Sequence, residues 1–163
     1  MLILKWIAIV ILTLVVSAII AGQMGLLQGK APTDLGVRQG KLKGLSSTAN
    51  SVSSQADLYP DHPQRKYSSI APLAVRGDGL TTITRLKSTV EGMGGAKLIS
   101  SAPDYLYAQF TTPMMKYVDD AEFWFDPATN AIQVRSASRL GEGDLGANRK
   151  RIEAVRVALA APP

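Results

Sequence analysis

Trp6 to Ala21 reads WIAIVILTLVVSAIIA, a run without a charged residue, and Leu2 to Leu4 continue it across the single Lys5. A helix rises ~1.5 Å per residue and needs about 20 apolar residues to cross the hydrocarbon of a bilayer. Residues 2–21 meet that requirement, with the Lys5 stem reaching back to the interface and Trp6 at headgroup depth. β-branched side chains fill the run. Lipid nevertheless forces every backbone group to pair within its own segment, which selects a helix. A buried core helix would need a polar face, and this run has none. A secretory signal cleaved after Val16-Ser17-Ala18 is the rival reading. Ile19 and Ile20 carry the apolar stretch past that site and favour an uncleaved anchor, so residues 1–22 read as a transmembrane anchor or signal. Lys5 and the α-amine stand against Lys30, Arg38, Lys41 and Lys43 on the other side, a near balance that leaves orientation weakly specified. Short N-terminal anchors of this shape generally export the domain attached to them. The expectation is therefore a single-pass inner-membrane protein with a periplasmic C-terminal domain in the cell envelope.

The 163-residue chain leaves room for one further domain of ordinary size. It has no cysteine and one histidine, His62. Disulfides, thiolate zinc sites, iron–sulfur clusters and cysteine nucleophiles are thereby excluded, as is a two-histidine metal site within one chain. His62 sits in the turn-forming stretch Tyr59-Pro60-Asp61-His62-Pro63 and reads as a solvent-facing loop residue.

Residues 23–66 are rich in glycine and serine, without a persistent period, and read as a linker. A compact domain is expected over 67–160. Ile70 to Val75 suits a first strand, followed by the turn Asp78-Gly79. Ile83, Leu86, Val90 and Met93 recur at spacings of a single helical stripe, so Thr81 to Met93 is expected to be helical and to stop at Gly92, Gly94 and Gly95. Strands are expected over Lys97–Ser101, Tyr105–Thr112, Asp120–Phe125 and Ile132–Ser138, several of them alternating apolar and polar residues. Asp126 to Asn130 has the composition of a hairpin turn. A last helix is expected over Leu145–Leu159, capped by Asp144, with Leu145, Asn148, Ile152, Val155 and Leu159 facing inward. No βαβ alternation is present. The fold class is therefore α+β: a mostly antiparallel sheet of four to five strands with two packed helices, preceded by one N-terminal transmembrane helix.

Placing Phe125 opposite Ile132 sets Phe123 against Val134 and Glu122 against Arg135, with Asp120 diagonal to Arg135 and Arg139. Asp119, Asp120, Glu122, Arg135 and Arg139 are then expected at one edge of the sheet. Carboxylates braced by arginines make either a ligand site or a structural ladder, and the bracing lowers their basicity. Asp119, Asp120 and Glu122 are oxygen donors that a divalent cation accepts, but the neighbouring arginines repel it, so no metal and no cofactor is expected. Gly141-Glu142-Gly143-Asp144-Leu145-Gly146 matches G-x-G-x-x-G. The βαβ context is missing and two carboxylates would face the pyrophosphate, so it reads as a tight turn. Arg149-Lys150-Arg151 and Arg156 make the last helix basic. A net charge of +5 would suit nucleic acid, but a bilayer tether points to anionic lipid or polymer instead. Arg149 and Glu153 are placed for an i,i+4 pair. Asn148 on the inward stripe needs partners and is expected to bond the turn around Gly141 to Asp144.

Val118-Asp119-Asp120-Ala121-Glu122-Phe123, then Val134-Arg135-Ser136-Ala137-Ser138-Arg139-Leu140-Gly141, then Asp144-Leu145-Gly146-Ala147-Asn148-Arg149-Lys150-Arg151-Ile152-Glu153 together resemble the bacterial and plastid family called domain of unknown function 1499, over about Gly36 to Arg156. Asn50-Ser51-Val52-Ser53-Ser54 resembles that family's Asn-Cys-Val-Ser-Ser segment, with Ser51 where a cysteine is usual. The resemblance implies an often exported or membrane-attached domain and carries over no catalytic residue. It implies that the acidic hairpin and the Arg-Ser-Ala-Ser-Arg strand form one unit, and Asp119, Asp120, Glu122, Arg135, Ser136, Ser138, Arg139, Asn148 and Arg149 are the candidate binding residues.

Three functions are compatible with these features. The first is a membrane-tethered interaction domain that binds a protein partner or an anionic ligand through its Arg/Asp/Glu cluster. The second is a hydrolase-like or lyase-like enzyme using Asp120 or Glu122 as base. The third is an accessory subunit docking in a larger membrane complex through its apolar helix.

Overall fold

A computed structural model describes residues 2–161. The apolar run forms one helix, α1 (Leu2–Gln23), 22 residues long and exposed except at its C-terminal end, where Gly22 is buried. At ~1.5 Å per residue it is about 33 Å long, enough for a hydrocarbon core of about 30 Å. It is the one helix among the described residues long and apolar enough to cross a membrane.

After α1 come β1 (Ser51–Ser53), a 3-10 turn at Ala56–Leu58, the short α2 (Arg65–Ser68), β2 (Leu73–Ala74), α3 (Gly79–Glu91), β3 (Ala96–Ser101), β4 (Tyr105–Thr111), β5 (Val118–Asp126), β6 (Ala131–Ser138) and α4 (Ala147–Ala160). All strand pairs are antiparallel, in the order β1-β6-β5-β4-β3, with β2 also on β6. The α+β architecture and the β5–β6 register are as expected: Phe125 faces Ile132, Phe123 faces Val134 and Glu122 faces Arg135.

The core lies between one face of the sheet and helices α3 and α4. Ile83, Leu86 and Val90 of α3 meet Ile152, Val155 and Leu159 of α4 over Leu106, Phe123 and Val134. Helix α3 starts where Asp78 accepts the Leu80 and Thr81 amides, a cap that contributes about 1 kcal/mol. A Cβ at the next residue, Gly79, would overlap the Phe125 ring, so the first turn of α3 lies directly on the sheet.

Three expectations are corrected. Residues 51–53, read as linker, form β1 and are buried: Ser51, Val52 and Ser53 pair with Ala137, Ser136 and Arg135. Three residues are too short a run for alternation to show. Second, Leu145 belongs to the turn before α4 and is 96% exposed, while Asn148, Ile152, Val155 and Leu159 form the buried stripe. The N-cap is Gly146 in a left-handed conformation, not Asp144; Asp144 lies two residues earlier and accepts from the Asn148 and Gly146 amides. Third, β5 and β6 are interior strands, so their acidic and basic residues lie mid-sheet, not at an edge. β5 is buried on both faces apart from a half-exposed Phe125, because the chain between α1 and β1 folds back over the side away from the helices.

Candidate functional site

Alternation along β5 and β6 splits the expected cluster in two. On the helix side, Asp119 meets Arg151 of α4 in a short, buried ion pair, and the Arg151 guanidinium lies 4.7 Å from the centroid of the Phe110 ring. Beside them Ser136 donates to Asn148 Oδ1 (2.6 Å). Asn148 Nδ2 donates to Asn50 O (3.1 Å), Ser138 Oγ (3.0 Å) and Asp144 Oδ2 (2.9 Å). The buried amide thus joins β6, the stretch entering β1 and the turn before α4. Asp144 also accepts the Tyr67 hydroxyl. Burial alone would raise the Asp144 pKa; the donors from Tyr67, Asn148 and Gly146 outweigh it and hold the carboxyl below its usual range. This half ties elements together, and its one buried side-chain atom without a partner is Asn50 Oδ1.

The other half faces the loop-covered side. Arg139 grips Asp120 with both prongs of its guanidinium, Nε to Oδ2 and Nη2 to Oδ1, each 2.8 Å, and Tyr107 donates to Oδ1 as well. Glu122 Oε1 accepts the Gly36 amide (2.7 Å) and the Tyr105 hydroxyl (2.8 Å). Its Oε2 is buried and has no hydrogen-bond donor. Burial pushes the Glu122 carboxyl above its ordinary pKa, against the pull of Gly36, Tyr105 and Arg135. Burial followed by the neighbouring Glu122 charge raises the Tyr105 phenol too.

Arg135 is 4% exposed. Its Nε donates to Gly44 O (3.1 Å), while Nη1 stands 3.9 Å from Glu122 Oε2, beyond hydrogen-bond reach. Among the described residues neither Nη atom has a hydrogen-bond acceptor. Burial lowers the Arg135 pKa, opposed by Glu122 and Asp120, but a guanidinium keeps its proton in proteins. No Arg135 atom is among the fully buried atoms without a partner, so its unused donors are open to solvent.

Arg135 lines an open cleft of about 650 Å³ walled by residues 30–34, Lys43 and residues 45–48 together with Asp120, Ser138 and Arg139. Lys30 and Lys43 bring two further cations, and Ser46, Ser47 and Thr48 bring hydroxyls. Lys43 is paired with Asp34 at 2.6 Å and holds that carboxyl below its usual range.

The expected site residues therefore separate. Asp120, Arg135, Ser138 and Arg139 line the cleft, while Glu122 lies behind it, fully buried. Asp119, Ser136 and Asn148 belong to the helix-side network. Arg149 joins neither: it donates to the carbonyls of Tyr67 and Ser69, and Glu153 pairs with Arg156 in its place. Arg151, Tyr105, Tyr107 and Asn50 were missed. Arg151 lies three residues after Asn148, on the same stripe. Tyr105 and Tyr107 fall on the polar side of β4, so the β4–β5 register would have placed them. Gly36 and Gly44 contribute backbone groups from irregular chain and leave no side-chain signal.

A family model described as "Protein of unknown function (DUF1499)" matches residues 41–159. No curated protein and no solved structure matches the chain.

Proposed function

The chain belongs to the family described as protein of unknown function (DUF1499), and from that premise we propose that it is a membrane-tethered domain of the cell envelope that binds a small anionic ligand, a phosphate or carboxylate group, in the cleft at Arg135. In this reading α1 crosses the inner membrane and the domain stands on the periplasmic side. The observation that carries it is the buried Arg135, whose Nη atoms have no acceptor in the protein and which lines the cleft together with Lys30 and with Lys43 in its pair with Asp34. A planar guanidinium matches a carboxylate or phosphate through two parallel hydrogen bonds. Arg139 contributes little charge because Asp120 neutralises it, and Arg149 lies outside the cleft.

The acid–base alternative has less support. Both Asp120 oxygens are occupied by Arg139, and Glu122 has no exposed surface from which to reach a substrate. Docking as a subunit through α1 is supported by no further feature.

Titration calorimetry of the full chain in detergent, with inorganic phosphate and with citrate, tests the proposal. We expect saturable binding to at least one anion, lost in Arg135→Gln and weakened several-fold in Lys43→Ala, which removes a part-exposed cation and leaves Asp34 unpaired in the cleft wall. Arg149→Ala should bind as the parent does. Binding that ignores both Arg135→Gln and Lys43→Ala, or no binding of either anion, would refute it.

A further inference from the structure

The end of the sheet where α1 leaves the domain carries a second cleft of different chemistry. It measures about 440 Å³ and is walled largely by apolar groups, including Leu27, Tyr117, Leu140 and Leu145. Leu27 is four residues past the last residue of α1. The junction is not a free tether. Gln23 Nε2 donates to Met114 O (2.9 Å), and a Cβ at Gly22 would overlap the Met115 carbonyl, so the helix end is seated on the β4–β5 turn. Residue 29 then packs against Arg139 and Leu140.

Around this junction large apolar side chains face outward: Met24, Leu26, Met114, Tyr117, Leu140 and Leu145. Leu145 is held at φ +50°, a left-handed conformation that L-residues adopt at a cost, and its side chain is almost wholly exposed. Strain of this kind at a surface apolar residue is a pointer to use. A contiguous apolar surface is itself unusual on a soluble domain. Lys116 in the β4–β5 turn and Lys30 add positive charge nearby.

We infer that this end of the domain is an interfacial seat, with Leu145, Leu140 and Tyr117 lying at the headgroup–acyl boundary of the bilayer crossed by α1. The inference rests on the membrane-spanning reading of α1. Continuity decides the occupant: a cleft whose wall begins four residues beyond the span opens at interfacial depth, and Lys116 and Lys30 complement anionic headgroups. The opposite end of the sheet sets the contrast. β5 has nine residues at ~3.3 Å each, so the β5–β6 turn lies about 30 Å from the β4–β5 turn, at the far end of the strand from the junction.

The chain has no cysteine, so single-cysteine variants can be labelled without background. Leu145→Cys, Tyr117→Cys, Ala128→Cys in the β5–β6 turn and Leu12→Cys in α1 would carry a bimane fluorophore. Each full-length chain is reconstituted in vesicles of phosphatidylcholine and phosphatidylglycerol containing, in separate preparations, a lipid spin-labelled near the headgroup end of its acyl chain or one labelled near its methyl end. Quenching is expected at positions 117 and 145 by the first lipid, at position 12 by the second, and at 128 by neither. Quenching at 12 alone, with 117 and 145 no more quenched than 128, overturns the seat and leaves the anchor standing. No quenching at 12 overturns the anchor, and the seat with it.

Discussion

Glu122 Oε2 and Arg135 Nη1 stand 3.9 Å apart inside the sheet's loop-covered face, and their burial decides what pH does to the fold. The Glu122 carboxyl is raised by burial, so the folded chain binds its proton more tightly than the unfolded chain does. That contribution is complete below the ordinary carboxylate pKa and is lost as pH rises through the raised one. Stability should therefore fall with pH across that window, by at most about 1.4 kcal/mol per pH unit. Urea unfolding of Glu122→Gln over the same range should show this slope removed; an unchanged slope would assign it to another group. Arg139→Ala removes the guanidinium that grips buried Asp120 and should lower unfolding free energy by about 3–5 kcal/mol. A loss under about 1 kcal/mol would mean that water replaces the guanidinium. At this scale the sequence was informative wherever strand register decided the partner, as for Glu122 opposite Arg135. It was silent where a loop backbone supplied the donor, as Gly36 does.

Elements with a sustained period were legible and those without one were not. Helix α3 shows Ile83, Leu86 and Val90 on one stripe, and the alternation of β4 persists over seven residues. β1 has only three residues, and all are buried, so composition marked them as linker. Polar Ser51 and Ser53 sit inside because β6 and the covering chain satisfy them. The single cluster expected from β5 and β6 became two because a period of two sends Asp119 and Asp120 to opposite faces. Two predictions belong here. Gly79→Ala forces a methyl into the Phe125 ring and should cost about 1–3 kcal/mol in chemical unfolding. A chain starting at residue 59 lacks β1 and the Asn50 carbonyl that receives Asn148, so it should lose cooperative unfolding in calorimetry. A sharp transition in that fragment would show that β1 is dispensable.

The whole molecule is an apolar N-terminal helix joined to an α+β domain whose two polar networks have different tasks. The helix-side network is closed: Asp119, Arg151, Ser136, Asn148 and Asp144 satisfy one another and bind α4 to the sheet. The loop-side network is open, because Arg135 keeps donors that no described protein group uses. Removing residues 2–21 should release the domain into the aqueous phase with its unfolding transition retained, while the full chain stays with membranes in alkaline carbonate. The proposed anion site is tested most directly by nitrogen NMR of the arginine side chains in full-length protein labelled at its guanidinium groups, titrated with inorganic phosphate. The Arg135 Nη resonances should shift saturably while those of Arg149 and Arg151 stay in place; Arg135 resonances that do not move, or arginines that all move alike, would contradict the account.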